Sequence, residues 1–396
     1  MTHGKEAGGW VPFRPTRDDL ARIASEVAAI PEFQATLVTN HPDVTLRDRV
    51  AHQYQIAGGR VALRIAEKLP DALMGLGLFQ PNTEHVGIGR VSTGLGCPHA
   101  ETDPDFLGLM LAFQTPAGKR VDFLAINDPT APTDDHRDFM VLLAATAAAA
   151  GAKSPFGSGE GEPGLAALLA SNLTLVRHLV EQLGVTHGGG VAAHVVRQTS
   201  RTAISSSAYQ TYWTGIVEAN GTAGKFVIAP TFADQNPHRS LGAGARHLTV
   251  DWRARQARGD VTFDLHWIPF IDQDATSTVA LTKAWEERRQ RVGRISFPKQ
   301  DANDKEAALW AMLASEMGAN PGNWINDIAG SIAEPSTEFT TARKTAYRLS
   351  QQGRNALPPE RLSDVFKTGV IEDELAAELV RRRSERIAAH HVNAAP

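Results

Sequence analysis

The sequence has almost no cysteine: Cys97 stands alone among 396 residues. An internal disulfide framework, or a zinc or iron–sulfur site built from several thiolates, is therefore excluded. Long apolar runs are missing as well. The richest stretch of small apolar residues, Val141 to Ala152, falls far short of the roughly 20 residues that span a bilayer. There is no charge excess of one sign either, since 40 Lys plus Arg face 44 Asp plus Glu for a formal net charge of -4. A chain this near neutrality has no electrostatic reason to seek nucleic acid or anionic lipid. Residues Met1 to Arg14 carry no apolar run after a basic start, so no signal peptide is expected and the chain reads as soluble and cytoplasmic. No internal repeat is found.

What is present is ordinary globular material, 42% hydrophobic and 21% charged, enough for one large core or two packed domains. A helix is expected over Thr16 to Ile30, with Thr16 as N-cap and Asp18 and Asp19 in the first turn. From Arg49 to Asn127 short extended segments alternate with Gly/Pro turns, the last being Val121 to Ile126. Asp138 to Ala152 and Gly164 to Leu183 read as helices, the second stopped by Gly184 and the triple glycine Gly188 to Gly190. Val261 to Trp267 alternates apolar and polar residues strictly, as a strand buried on one face should. Helical patterns return at Asp304 to Met317, Thr341 to Gly353 and Glu372 to Ala389. This order predicts an α+β fold with an antiparallel sheet or barrel rather than a doubly wound parallel sheet.

Two patterns mislead. Gly159 to Gly164 matches a dinucleotide glycine fingerprint, but no strand precedes it and its acidic residues would repel a pyrophosphate. Gly94-Leu-Gly-Cys97-Pro98 offers a thiolate of the kind that ligates haem, yet a lone cysteine is more often a small buried hydrophobe.

Four segments carry chemistry. Arg343, Tyr347 and Arg354 fall within about 40° of one another on a helix surface, so one phenol and two guanidiniums share a stripe. Guanidinium beside a phenol favours the phenolate, a competent ligand for ferric iron. The same pattern also describes a polar surface helix. The other segments are Arg49-Val-Ala-His52, Arg90-Val-Ser92 and Asn127, the last at a strand end just before a Pro-containing turn. Arg90 and Ser92 point the same way if their segment is a strand. Arg, His, Ser and Asn together would make a polar pocket with a general base, although each alone is unremarkable.

Their order resembles the haem catalase superfamily. That family has Arg-x-x-His, then Arg-Phe-Ser, then Asn-Thr-Pro, then Arg-x-x-x-Tyr with a further arginine seven residues on. Here the sequence reads Arg49 to His52, Arg90 to Ser92, Asn127 to Pro129, and Arg343 to Tyr347 with Arg354. Gly77-Leu-Phe79, Tyr212-Trp213, Trp285-Glu286 and Val292 to Ser296 look like the shorter bacterial, catalase-related peroxidase members. The resemblance covers roughly residues 40 to 355 and departs at three points. Ala51 replaces the usual valine before the histidine, Val91 replaces phenylalanine, and Asp128 replaces threonine.

The resemblance implies a catalase-like antiparallel β-barrel core with surrounding and C-terminal helices. It divides the chain into an N-terminal helical arm (1–40), a haem-binding domain (41–360) and a C-terminal helix (361–396). It implies haem b as cofactor, Tyr347 as iron ligand, and Arg343 holding that phenol ionised. His52, Asn127 and Ser92 would be the peroxide-cleaving set, with Arg49, Arg90 and Arg354 on the propionates. Phe139 is placed to stack on the porphyrin or simply to fill helix core. The implied activity is peroxide reduction with an external electron donor, with weak catalase turnover, in a dimer or tetramer that binds neither membrane nor nucleic acid. A hydroperoxide-rearranging enzyme of allene oxide synthase type and a non-enzymatic haem carrier are the alternatives; the room left by Ala51 suits a bulky substrate.

Overall fold

The structure is a computed structural model that describes residues 9–40, 49–94, 96, 101, 105–149, 165–199, 204–231, 240–301, 303–323 and 337–393. The glycine-rich stretch 151–164 and Cys97 lie outside the described residues.

Nine strands form one antiparallel sheet: β1 (Gln55–Ile65), β2 (Glu84–Thr93), β3 (Leu107–Gln114), β4 (Arg120–Ile126), β5 (Tyr212–Thr214), β6 (Val217–Ala219), β7 (Thr222–Pro230), β8 (Val261–Pro269) and β9 (Gln290–Phe297). The first four run as successive neighbours, β4 pairs with β5, and β5 pairs with β7. From β7 the sheet continues through β8 and β9 back to β1. Eight strands therefore close into a barrel, and β6 hangs on β7 as a hairpin. Closure leaves the barrel strands without unpaired edges.

The alternating pattern explains the closure. On β8, Val261, Phe263, Leu265 and Trp267 are buried while Thr262, Asp264 and His266 are half-buried. Large rings fill the lumen: Phe113, Phe123, Tyr212, Phe226, Phe263 and Phe297 are fully buried. Phe79, from the segment after β1, stacks on Phe226 at 5.5 Å toward one end. Trp252 meets Phe297 edge-on at 5.0 Å toward the other.

Among the described residues ten helices surround the barrel: α1 (Arg17–Glu26), α2 (Ile30–Asn40), α3 (His136–Ala149), α4 (Leu165–Leu183), α5 (Val185–Thr199), α6 (His247–Arg258), α7 (Lys305–Glu316), α8 (Glu338–Gly353), α9 (Ser363–Thr368) and α10 (Asp373–Asn393). Thr16 caps α1 reciprocally with Asp19, as expected, but the helix stops at Glu26 and a turn precedes α2. The triple glycine does not stop a helix. Gly184, with φ +81°, ends α4, and Gly188 to Gly190 lie inside α5. A Cβ on Gly188 would come within 2.3 Å of the Leu179 carbonyl oxygen, so the missing side chain lets α5 lie against α4. Leu375 and Leu379 of α10 dock with Trp310 and Leu313 of α7. Arg382, within the Arg381 to Arg383 run, donates to Glu378 and to the Asn355 carbonyl. No helix among the described residues is long and apolar enough to cross a membrane. Helices α3 and α8 face the outer wall of the barrel, and the gap between them and β2–β5 and β7 is the site.

Candidate active site

Helix α8 supplies one wall. Thr337 caps it, its hydroxyl accepting from Thr340 N at 3.0 Å. Arg343, Ala346, Tyr347, Ser350, Gln351 and Arg354 all line a cavity of about 230 Å³, spaced as one helical stripe. That volume is many times the roughly 10–15 Å³ one ordered water needs. The Tyr347 hydroxyl hydrogen-bonds no described residue, although half-buried tyrosines usually find a partner. The Arg343 guanidinium lies 5.6 Å from the Tyr347 ring centroid and beside Gly215, 3.1 Å from where a Cβ would stand.

His52 stands on the barrel side. Its backbone is left-handed, with φ 57°, and is held by its N–H to the Gly94 carbonyl at 2.9 Å and by Arg90 Nη2 to its own carbonyl at 2.8 Å. Nδ1 donates to the Thr93 carbonyl at 3.1 Å and lies 3.3 Å from Ser92 Oγ. Because a carbonyl can only accept, Nδ1 carries the proton and Nε2 keeps its lone pair. Burial and then the Arg90 charge push the imidazole down to about 4, so it is neutral at pH 7. Phe106 packs edge-on against the ring at 5.7 Å. On β3, Gly108 leaves the space the ring occupies, since a Cβ there would stand 2.3 Å from Nδ1.

Three guanidiniums gather where α8 ends. Arg49 Nη2 donates to the Ser315 carbonyl at 2.6 Å, and Arg354 Nη2 to the Met317 carbonyl at 2.7 Å. Both therefore sit on the C-terminal carbonyls of α7, where a helix end favours cations. Arg90 donates to the His52 and Gln53 carbonyls and to Gln55 Oε1. Burial lowers Arg49 to about 10 and holds Arg90 and Arg354 well below the ordinary range, with the Arg49 charge pressing on both. Glu316 is the carboxylate acting on this cluster, and it also lies 3.8 Å from Arg382. Among the described residues three buried guanidiniums stand together, with the Glu316 charge acting on Arg49 and Arg354, and a planar fork suits a bound carboxylate.

The cavity brings together Arg49, His52, Arg90, Ser92, Phe139, Arg343, Tyr347 and Arg354. Asn127 is the exception. Its Oδ1 accepts from Leu107 N at 2.6 Å and its Nδ2 donates to Gln210 at 3.3 Å, so the amide ties strands together and does not line the cavity. Phe139 lines the cavity and packs edge-on against Phe339 at 5.8 Å. No sequence pattern announced the Thr93 carbonyl, Gly108 or Lys225, the last of which lines the same cavity. Glu26, His136 and Glu338 approach one another closely enough to suggest a metal. Arg22 bonds both carboxylates, at 3.0 and 2.9 Å, and Arg137 bonds Glu26 at 2.9 Å, which makes the group an ion-pair node tying α1, α3 and α8.

The architecture resembles solved catalases. A fungal catalase superposes with a TM-score of 0.56 at 15% identity, covering 80% of this chain and 60% of its own. A bacterial catalase gives 0.55 at 18% identity, covering 91% of this chain and 66% of its own. The fold is that of catalases. Catalase A from Saccharomyces cerevisiae agrees, at 0.57 and 13% identity over 82% of this chain and 64% of that one. This catalase-like chain thus spans less than two thirds of the length of each of these catalases. No protein-family model and no curated protein matches its sequence.

Proposed function

We propose that the cavity binds haem b and cleaves hydrogen peroxide or an organic hydroperoxide, with an external reductant completing the cycle. The observation that carries this reading is the arrangement of one cavity: an unpartnered phenol on α8, a neutral imidazole on the barrel side, and a cluster of buried guanidiniums at one end. The donor set fits the cofactor. A phenol is the iron ligand that catalases use, and the buried guanidiniums of Arg49, Arg90 and Arg354 suit two propionates. When bound, haem supplies a redox-active iron at which a peroxide O–O bond is reduced.

The chain's own groups do the rest. Tyr347 is the iron ligand, with the Arg343 guanidinium beside its ring. Phe139 would help to hold the porphyrin. His52 takes the peroxide proton on Nε2 and returns it to the departing oxygen, which leaves as water or alcohol. The hydrogen bond from Nδ1 to the Thr93 carbonyl, with Ser92 alongside, fixes the tautomer this transfer needs. With the Asn127 amide engaged elsewhere, positioning of the peroxide falls to His52.

An absorption spectrum of the purified protein supplied with haem tests the proposal. A ferric high-spin spectrum with phenolate charge-transfer features is expected, and Tyr347→Phe should lose or weaken it. His52→Ala should keep the pigment and slow peroxide cleavage by about 10²–10⁴-fold, the usual worth of positioned proton transfer. A protein that stays colourless with ample haem sinks the reading.

A further inference from the structure

One charged side chain of the cavity wall has no part in that chemistry. Lys225 lies on β7 and is 5% exposed. Phe226 and Ile228 of the same strand belong to the barrel interior, whereas Lys225 lines the cavity. The ammonium sits 4.7 Å from the centroid of the Trp285 ring. A ring face attracts a cation, yet it cannot take three N–H donors. Among the described residues none accepts a hydrogen bond from Nζ. Glu287 is the carboxylate whose charge reaches it, but one oxygen accepts from Trp213 Nε1 at 2.6 Å and the other from Arg289 Nε at 2.6 Å. Burial draws the amine down to about 8, with the Glu287 charge opposing it.

Its position separates it from the arginine cluster. The bond from Phe226 N to Thr214 Oγ1, at 2.9 Å, holds the end of β5 beside Lys225, and Gly215 follows at once, where Arg343 rests. Lys225 thus belongs to the Arg343 end of α8. Arg343 and Arg354 are eleven residues apart, about 16 Å of helix. The wall around Lys225 is apolar. Ile216 and Leu281 belong to one buried cluster, Leu142, Leu175 and Val195 to another, and Phe139 packs against both. All six line the cavity.

We propose that the organic molecule used in this cavity is a monocarboxylate with an apolar body. Lys225 takes the carboxylate, and the body lies along the surface from Ile216 and Leu281 past Phe139 toward Leu175 and Val195. A single ammonium matches a single negative charge, and the seat of that charge is walled by rings and aliphatic groups rather than water. No bond is made or broken at Lys225. The inference rests on reading the cavity as the active site, and it names the class of molecule admitted there.

The test is calorimetric titration with octanoate and with octan-1-ol, on the protein as purified and after haem loading. Octanoate should bind about 10- to 100-fold more tightly than octanol, the worth of a charge-assisted hydrogen bond. Lys225→Met should abolish that preference and leave octanol affinity unchanged, and Lys225→Arg should restore most of it. The titration after haem loading separates this seat from the arginine cluster, because the propionates then occupy those arginines. Equal binding of octanoate and octanol to the unaltered protein, or a preference that survives Lys225→Met, overturns the inference. The haem spectrum of the same samples reports separately on the cofactor reading. A colourless protein whose octanoate preference still depends on Lys225 would sink the haem and keep the carboxylate seat. Steady-state assays then assign the carboxylate: in Lys225→Met the rise in KM falls on a carboxylated hydroperoxide over its neutral counterpart, or on a carboxylated reductant.

Discussion

At the scale of single residues, His52 ties protonation to stability. Its imidazole is held near 4 in the folded chain against an ordinary 6.5. Between those values the unfolded chain binds a proton that the folded chain does not, so stability rises with pH through that window and is fully present above it. Denaturation midpoints at pH 4.5 and pH 7 should therefore differ less in His52→Asn, a residue that tolerates the left-handed backbone, than in the unaltered protein. Peroxide cleavage should likewise keep its rate down to about pH 4 before protonation of Nε2 removes the base. Gly108→Ala places a methyl on Nδ1 and should cost about 1–3 kcal/mol, as overpacking does, with a slowed cleavage step. Arg49, His52, Ser92, Tyr347 and Arg354 were legible because side-chain type and spacing carried them. Gly108 and the Thr93 carbonyl were not, because they act through an absent side chain and a backbone atom. Asn127 lies off the cavity for a third reason: a strand-end amide has local backbone partners competing for it.

At the scale of elements, α8 was readable from its period, which puts Arg343, Tyr347 and Arg354 on one stripe facing the barrel. Its start was placed at Thr341, three residues late, because the cap is Thr337 and Phe339 and Thr340 are buried. Thr337→Ala removes the cap bond to Thr340 and should cost about 1 kcal/mol in a denaturation curve. The break between α1 and α2 was hidden because the apolar spacing of Ile23, Val27 and Ile30 continues through the turn. The triple glycine teaches the opposite lesson. Gly188 touches the α4 backbone, whereas a Cβ on Gly189 or Gly190 meets nothing within 4 Å. Gly189→Ala and Gly190→Ala should each raise stability by about 0.5–1 kcal/mol, and Gly188→Ala should lower it; thermal melts of the three variants decide.

At the scale of the whole molecule, a net charge of -4 coexists with a buried knot of positive charge at Arg49, Arg90 and Arg354. If that knot holds the propionates, haem dimethyl ester should bind on the order of 10²-fold more weakly than haem, the loss of two charge-assisted contacts; spectrophotometric titration measures it. Strand order and helix alternation made the α+β class legible, while closure of the sheet through the β5–β7 pairing depended on a contact between three-residue and nine-residue strands that no local pattern announces.

The aromatic filling of the barrel has a consequence for how this molecule can change. With Phe113, Phe123, Tyr212, Phe226, Phe263 and Phe297 occupying its lumen, no solute travels along the axis. Routes to the cavity therefore skirt the outside of the strands, beneath the helices. Neighbouring positions on one strand therefore answer to different demands, the inward ones to cohesion and the outward ones to choice of guest. Selection can retune the guest through alternate residues of β2, β4 and β7 while leaving the cylinder itself untouched.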